Sequence, residues 1–287
     1  MNIIVCVKRV PHPEIIRYDI ETSSVKDIVY VLNPYDRVAL EEAVRIKEML
    51  EKVKVTVITL GPPEAEDILR FCLAMGADNA ILLLVNSYIN NDAFATSLIL
   101  SKAISLLPYD MILCGAVSID DNSAFVGPGI SEFLNLPLIS NVTKMNILVE
   151  ERKIIAYRRV RKVDREVVEC ALPAVITVDI DLNEPRYVSS EKILKVREKE
   201  ITKLNIESLN VDLGSIEAAT KVIRYTLPKP RLKKVTYFEG LSPAERLKMI
   251  MTGGTPKKSS RLIQKSPQDA VSEIIQFLIN IGVLSNE

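Results

Sequence analysis

The chain has 287 residues, 48% of them hydrophobic and 26% charged, enough to bury a sizeable core in one large or two ordinary domains. Its 37 basic and 37 acidic residues balance, and it has no tryptophan, which argues against a polyanion binder or a base-stacking platform. A single histidine, His12, and four cysteines without a CxxC pair leave little material for a His-based triad, a metal site or a disulfide framework.

The opening run NIIVCV (2–7) is short, apolar and β-branched, as a buried parallel strand requires. Cys6 here, and Cys114 further on, stand in such runs as small hydrophobes. Lys8, Arg9 and His12 follow as strand-end polar groups, with a solvated loop the account of His12. The start is too short and too soon charged for a signal peptide, and no apolar run reaches membrane-spanning length, so a cytoplasmic chain without membrane insertion is expected. NPYDRVALEEAVRIKEML (33–50) predicts a helix, with Asn33 as its cap, Pro34 at the first position and Asp36 in the first turn. Strands at 54–61, 79–85 and 110–115 then alternate with helices at 63–76 and 92–107. That alternation predicts an α/β fold with a doubly wound, mainly parallel sheet. Gly61 and Gly115 end two strands at the carboxyl edge, where such sheets bind ligands.

Beyond Gly115 the chain reads GAVSIDDNSAFVGPGISEFLNLP (115–137), and a helix begins near Ala124. Two accounts fit these small polar residues. Asp121 or Ser123 caps the helix, or the free N–H groups at its start hold a phosphate, with Ala124 and Gly127 admitting the ligand closely. There is no Walker loop, and no GxGxxG follows the first strand. From about 144 to 180 alternation and charged turns suggest antiparallel hairpin strands added to the sheet. Residues 182–201 read as an exposed excursion, and 227–240 as a proline-punctuated connector. Amphipathic segments at 242–251 and 267–281 flank the turn TGGTPKKSSR. The reading divides the chain into an α/β domain, 1–238, and a C-terminal arm, 239–287, too small for its own core.

VCVKRVP (5–11), LNPYDRVALEEAVRIKE (32–48), LAMGADNAIL (73–82), the 115–137 stretch and LPAVITVDIDLNEPRYVSSEKILK (172–195) together resemble the β subunit of electron transfer flavoproteins, a family that includes FixA. The blocks fall in family order over most of residues 1–200. The resemblance implies a fold related to adenine-nucleotide-binding hydrolases in a subunit that is not itself an enzyme. It implies a heterodimer with an α subunit carrying the redox-active FAD, passing electrons from dehydrogenases to an acceptor such as a quinone reductase. This subunit would hold AMP, or a second FAD in bifurcating members. The nucleotide would lie against Cys6, Asn33, Leu60, Gly61 and Gly115, with Asp121 facing its sugar or base and the backbone of Ser123, Ala124, Phe125, Val126 and Gly127 around the phosphate.

This chain departs from the ordinary pattern DDDxNQTG, and its VGP at 126–128 is more like the FixA and bifurcating branch. Phe125 stands where a glutamine is usual, so phosphate binding would rest on backbone donors. Tyr35 falls where the family places an aromatic near the α-subunit flavin; packing is the plain alternative. A recognition loop for the partner dehydrogenase would span about 183–200. Its leucine anchor is replaced by Ser190, leaving Ile193 and Leu194 to substitute. The rival readings are a nucleotide-dependent hydrolase of related fold, which would need a phosphate loop and a nucleophile, and a stand-alone adenine-nucleotide module, against which the hairpin region and arm argue.

Overall fold

The computed structural model describes residues 1–12, 14–15, 17–19, 24–26, 29–85, 92–161, 164–209, 242, 247 and 266–280. They fall into two units, Met1–Thr226 and Leu227–Glu287. In the first, parallel strands β1 (Asn2–Cys6), β6 (Lys54–Gly61), β7 (Asn79–Leu84) and β8 (Met111–Gly115) alternate with helices α1 (Pro34–Met49), α2 (Glu66–Met75) and α3 (Ala93–Ser105). Small antiparallel pairs, β2 (Arg9–Pro11) with β5 (Tyr30–Leu32) and β3 (Arg17–Asp19) with β4 (Ser24–Lys26), lie between β1 and α1. After β8 come α4 (Val126–Leu134), β9 (Leu138–Leu148), β10 (Lys153–Arg159), β11 (Arg165–Ala171), β12 (Ala174–Val178), α5 (Ser190–Lys195) and β13 (Thr202–Asn205). Among the described residues the main sheet is nine-stranded, in the order β11-β10-β9-β12-β8-β1-β6-β7-β13.

The predicted strand–helix alternation is present at nearly the expected boundaries. The sheet strands are sandwiched: Val5, Val57 and Leu113 pack with Leu40, Val44 and Leu69 of α1 and α2 on one face. Ile4, Ile58 and Ile112 pack with Ile99, Ile104 and Ile130 of α3 and α4 on the other. Burial on both faces explains the near-continuous apolar runs.

Three expectations change. The hairpin region supplies antiparallel β9, β10 and β11, but its last run, AVITV, is parallel to both neighbours, β8 and β9. All five of its residues are buried, a two-sided burial that periodicity alone does not tell from a hairpin strand. The excursion 182–201 is mostly exposed but is tied down, with Val188 buried in the core, and just beyond it Thr202–Asn205 adds a parallel edge strand beside β7. Its sequence, TKLN, is too polar to announce a strand. Finally, Asn33 makes no side-chain cap on α1.

The second unit contains α6 (Pro267–Asn280), whose side chains of Val271, Ile274, Ile275 and Phe277 are exposed. The 227–240 connector and the TGGTPKKSSR turn lie outside the described residues, as does all of 242–251 except two positions. Among the described residues, no helix is long and apolar enough to cross a membrane.

Candidate functional site

From β1 the chain winds outward through β6 to β7, then crosses back to place β8 on the other side of β1. The reversal opens a crevice between the carboxyl ends of β1 and β8, the position at which open α/β sheets take ligands. Cys6 and Gly115 end these two strands, and Leu60 and Gly61 end the next one, β6. The register of β1 with β8 sets Cys6 beside Cys114, both buried. Donation of its S–H to Cys6, then burial, push the Cys114 thiol well above its usual range, so it stays protonated.

Two side chains from the start of α1 bind the rim. Asn33 is 1% exposed; its Nδ2 donates to the Val117 carbonyl at 2.9 Å, and its Oδ1 accepts from the Ile119 N–H at 3.3 Å. The residue read as a helix cap therefore orders the loop after β8. Asp36 is also buried. Its Oδ2 accepts from the Lys8 N–H at 2.8 Å and its Oδ1 from the Gly115 N–H at 3.0 Å. Burial pushes its carboxyl up to about 7, although those two N–H groups, Asn33 and the Lys8 charge all pull the other way.

Lys8, a strand-end polar group, reaches across the crevice. Its Nζ donates to Ser118 Oγ (3.3 Å), Asp120 Oδ1 (2.9 Å) and Asp121 Oδ2 (3.1 Å). Asp121 also accepts from Ser118 Oγ at 2.7 Å and from the Ser123 N–H at 3.0 Å. Burial raises the Asp121 carboxyl, but these donors and the Lys8 charge outweigh it and hold the group below the usual carboxylate range. The loop tip carries Asn122 at φ 54° and Ala124 at φ 56°. For alanine that left-handed conformation costs about 1 kcal/mol, which the surrounding bonds must offset. Arg9 also has partners, Asp67 at 3.0 Å and the Tyr30 ring.

Neither Asp121 nor Ser123 caps α4; Phe125 occupies the cap position without a side-chain bond. The Val126 and Gly127 N–H groups begin the helix, and Pro128 contributes no donor. The ring of Phe125 lies along the helix flank, 3.1 Å from where a Cβ on Gly129 would sit, and is 43% exposed. Gly127 is small for a different reason than ligand access: a Cβ there would meet Thr177 Cγ2 of β12 at 2.4 Å. Tyr35 is half-buried at the rim, its Cβ 2.7 Å from a Cβ built on Gly115. Thus Cys6, Asn33, Gly115, Asp121 and the 123–127 backbone gather at one crevice. Ser118 of the polar turn joins them, as do Lys8 and Asp36, which no local pattern in the sequence marks as site residues.

Ser190, Ile193 and Leu194 lie on α5, which packs beside α2 and keeps all three exposed. The stretch before it is docked on α1. Arg186 Nε donates to Glu41 Oε2 at 2.9 Å, its Nη1 and Nη2 to Glu48 at 2.6 and 2.9 Å, and its backbone N–H to Glu41 Oε2 at 3.1 Å. Arg37 donates to the Arg186 carbonyl (3.0 Å), and Asn183 Nδ2 donates to the Val38 carbonyl and Glu42. The Glu41 side chain is 3% exposed, while Tyr187, between anchored Arg186 and buried Val188, is 84% exposed.

Residues 25–209 match the electron transfer flavoprotein domain. The chain is 36% identical over 271 residues to the electron transfer flavoprotein subunit beta of Thermoanaerobacterium thermosaccharolyticum, covering 92% of this chain and 97% of that protein. It is 36% identical over 234 residues to the caffeyl-CoA reductase-Etf complex subunit CarD of Acetobacterium woodii, covering 79% and 88%. Protein FixA of Azotobacter vinelandii is 33% identical over 249 residues, covering 83% and 88%. With the crevice in the parallel sheet and the docked LNEPRY motif, these similarities show that the chain belongs to the electron transfer flavoprotein family, in the branch of its β subunits and FixA proteins.

Proposed function

We propose that the crevice holds an adenine nucleotide, either AMP or a second FAD, in a heterodimer whose α subunit carries the redox-active FAD. The observation that carries this reading is the start of α4 at the β1–β8 crevice. The Val126 and Gly127 N–H groups and the helix dipole offer a phosphate its donors there. Lys8, already spanning the crevice to Asp120 and Asp121, orders the loop around them. The fold is accordingly read as related to the adenine-nucleotide-binding hydrolases. The chain itself contributes no acid, base or nucleophile; flavin supplies the redox chemistry, and the protein supplies position and electrostatics. Tyr35 faces the α-subunit flavin and excludes water from it, and residues 239–287 form an arm lying on α. The test is to release and count ligands from the native heterodimer. One FAD with one AMP, or two FAD, fits the reading; one FAD and no second adenine nucleotide overturns it.

The partner dehydrogenase would meet the segment 183–200, with a quinone reductase as the onward acceptor and the cytoplasm as the compartment. Ser190 supplies no apolar anchor, whereas Ile193 and Leu194 are 41% and 66% exposed. Ile193→Glu is expected to weaken this encounter by about 2 kcal/mol, roughly 30-fold, leaving the heterodimer intact. Stopped-flow reduction of the heterodimer's flavin by a substrate-reduced acyl-CoA dehydrogenase measures it. Ser190→Leu should improve the same rate. An unchanged rate in Ile193→Glu removes α5 from the encounter surface.

A further inference from the structure

The two lips of the crevice are joined by one side chain. Asp36 accepts from the N–H of Lys8, just past the end of β1, and from that of Gly115, the last residue of β8. Each carboxylate oxygen serves one lip. The same Lys8 then reaches over to Ser118, Asp120 and Asp121, so fixing its backbone also fixes the loop that leads to α4. Gly115 is held so close that a Cβ there would lie 2.3 Å from Asp36 Oδ1. We propose that Asp36 is a positioning residue for the nucleotide, which binds tightly only while both lips are tied to its carboxylate. This deepens the reading of the crevice as an adenine-nucleotide site and rests on it.

The chemistry of the ties sets the consequence. Both oxygens accept from N–H groups, an arrangement that suits the carboxylate; a proton on either oxygen removes the charge and weakens that oxygen as an acceptor. Burial pushes this carboxyl up to about 7, so the ties loosen as pH falls through that value and are complete above it. Of the titratable groups facing it, Lys8 on the β1 side is paired with Asp120 and Asp121. Cys72 of α2 and Cys114 of β8 are both raised, chiefly by burial for Cys72 and by the Cys6 bond for Cys114, and stay neutral. Asp36 is therefore the group that changes charge near neutrality. Its raised value means the folded chain holds this proton where the unfolded chain has lost it, between about pH 4 and 7. Its contribution to stability is fully present below that window and is lost as pH rises through it. The form competent to bind is thus the less stable one, and a bound nucleotide offsets the difference.

The experiment uses the heterodimer stripped of its exchangeable nucleotide. Its probes are AMP and the 5′-methyl ester of AMP, whose phosphate has no second proton to lose, unlike that of AMP near pH 6. Affinities are measured by calorimetry from pH 6 to 8 for the wild type and Asp36→Asn. The wild type should bind the methyl ester about tenfold more tightly at pH 8 than at pH 6, following the ionised fraction. Asp36→Asn, which turns an amide N–H₂ toward one lip, should bind about tenfold more weakly at pH 8 and show no such rise. With AMP, both proteins keep the phosphate's own titration, and only their difference reports Asp36. A pH-independent affinity of the wild type for the methyl ester overturns the inference, whether or not the variant folds. Parallel profiles in the two proteins overturn it equally, and leave the nucleotide reading standing. Failure of the wild type to bind either probe at any pH overturns the inference and excludes AMP, leaving a second FAD as the nucleotide for the ligand count to decide.

Discussion

Arg186→Ala is expected to destabilise the first unit by about 3–5 kcal/mol, because it leaves the Glu41 carboxylate buried without its main partner. Glu41 sits on the inner face of α1 and receives three of the Arg186 donors, two from the guanidinium and one from the backbone, at 2.9–3.2 Å. The backbone N–H at 186, at 3.1 Å, and Arg45 Nε, at 3.2 Å, remain to it after truncation, but the bidentate guanidinium charge is gone. The Arg186 guanidinium is held well above its usual range by its bonds to Glu48 and Glu41, in that order. Glu48 in turn is lowered first by its bond from Arg186, but it is 58% exposed and loses little. The double change Glu41→Leu with Arg186→Met should therefore cost much less than Arg186→Ala, since no buried charge is left behind. Urea denaturation of the three proteins gives the comparison, and amide exchange across 183–197 should rise selectively in Arg186→Ala. If the double variant proves as unstable as the single one, the cost lies in lost packing rather than in the stranded carboxylate.

A second large effect is expected at Gly115. Alanine there would place its Cβ 2.3 Å from Asp36 Oδ1, 2.7 Å from Tyr35 Cβ and 3.0 Å from the Asp36 nitrogen. Two of those atoms belong to the backbone or are fixed directly to it, so no flexible side-chain end can move aside. The start of α1 must shift, at an overpacking cost of about 1–3 kcal/mol. The Gly115–Asp36 hydrogen bond is lost with that shift, adding roughly 1–3 kcal/mol for a buried acceptor left unmet. At about 2–4 °C per kcal/mol, the melting temperature should fall by roughly 10 °C. Gly127→Val meets Thr177 in the same way and so does not report on ligand access. A Gly115→Ala protein that melts within about 2 °C of the wild type would show that α1 and β8 are less tightly opposed than their geometry indicates.

The local pattern carried much of the fold. Apolar runs of strand length, the helix opening at Pro34 and the Gly61 and Gly115 strand ends are dictated by short-range sterics and burial, and the structure places each within a residue or two. The proposed site residues come together at one edge of the sheet for the same reason: the strand ends there are marked by glycines and by a polar turn before a helix. Some assignments failed where one residue type serves two purposes. Asn33 has what a cap needs, an amide beside a helix start, yet it bonds to Val117 and Ile119, more than 80 positions away. Asp36 fits a favourable charge in a first helical turn equally well, and only the return of β8 beside β1 brings Gly115 to it.

By itself, then, the sequence determined the α/β alternation and the family, because propensity, periodicity and motif act over a few residues. Tertiary structure decided what periodicity leaves degenerate: that AVITV runs parallel between β8 and β9, and that TKLN joins an edge. It also decided which charges are structural. Lys8 meets Asp120 and Asp121 across 112 and 113 positions, and Arg186 meets Glu41 across 145. A charge in a sequence has no burial and no partner until the chain closes around it, and those two quantities set whether its loss costs almost nothing or several kcal/mol.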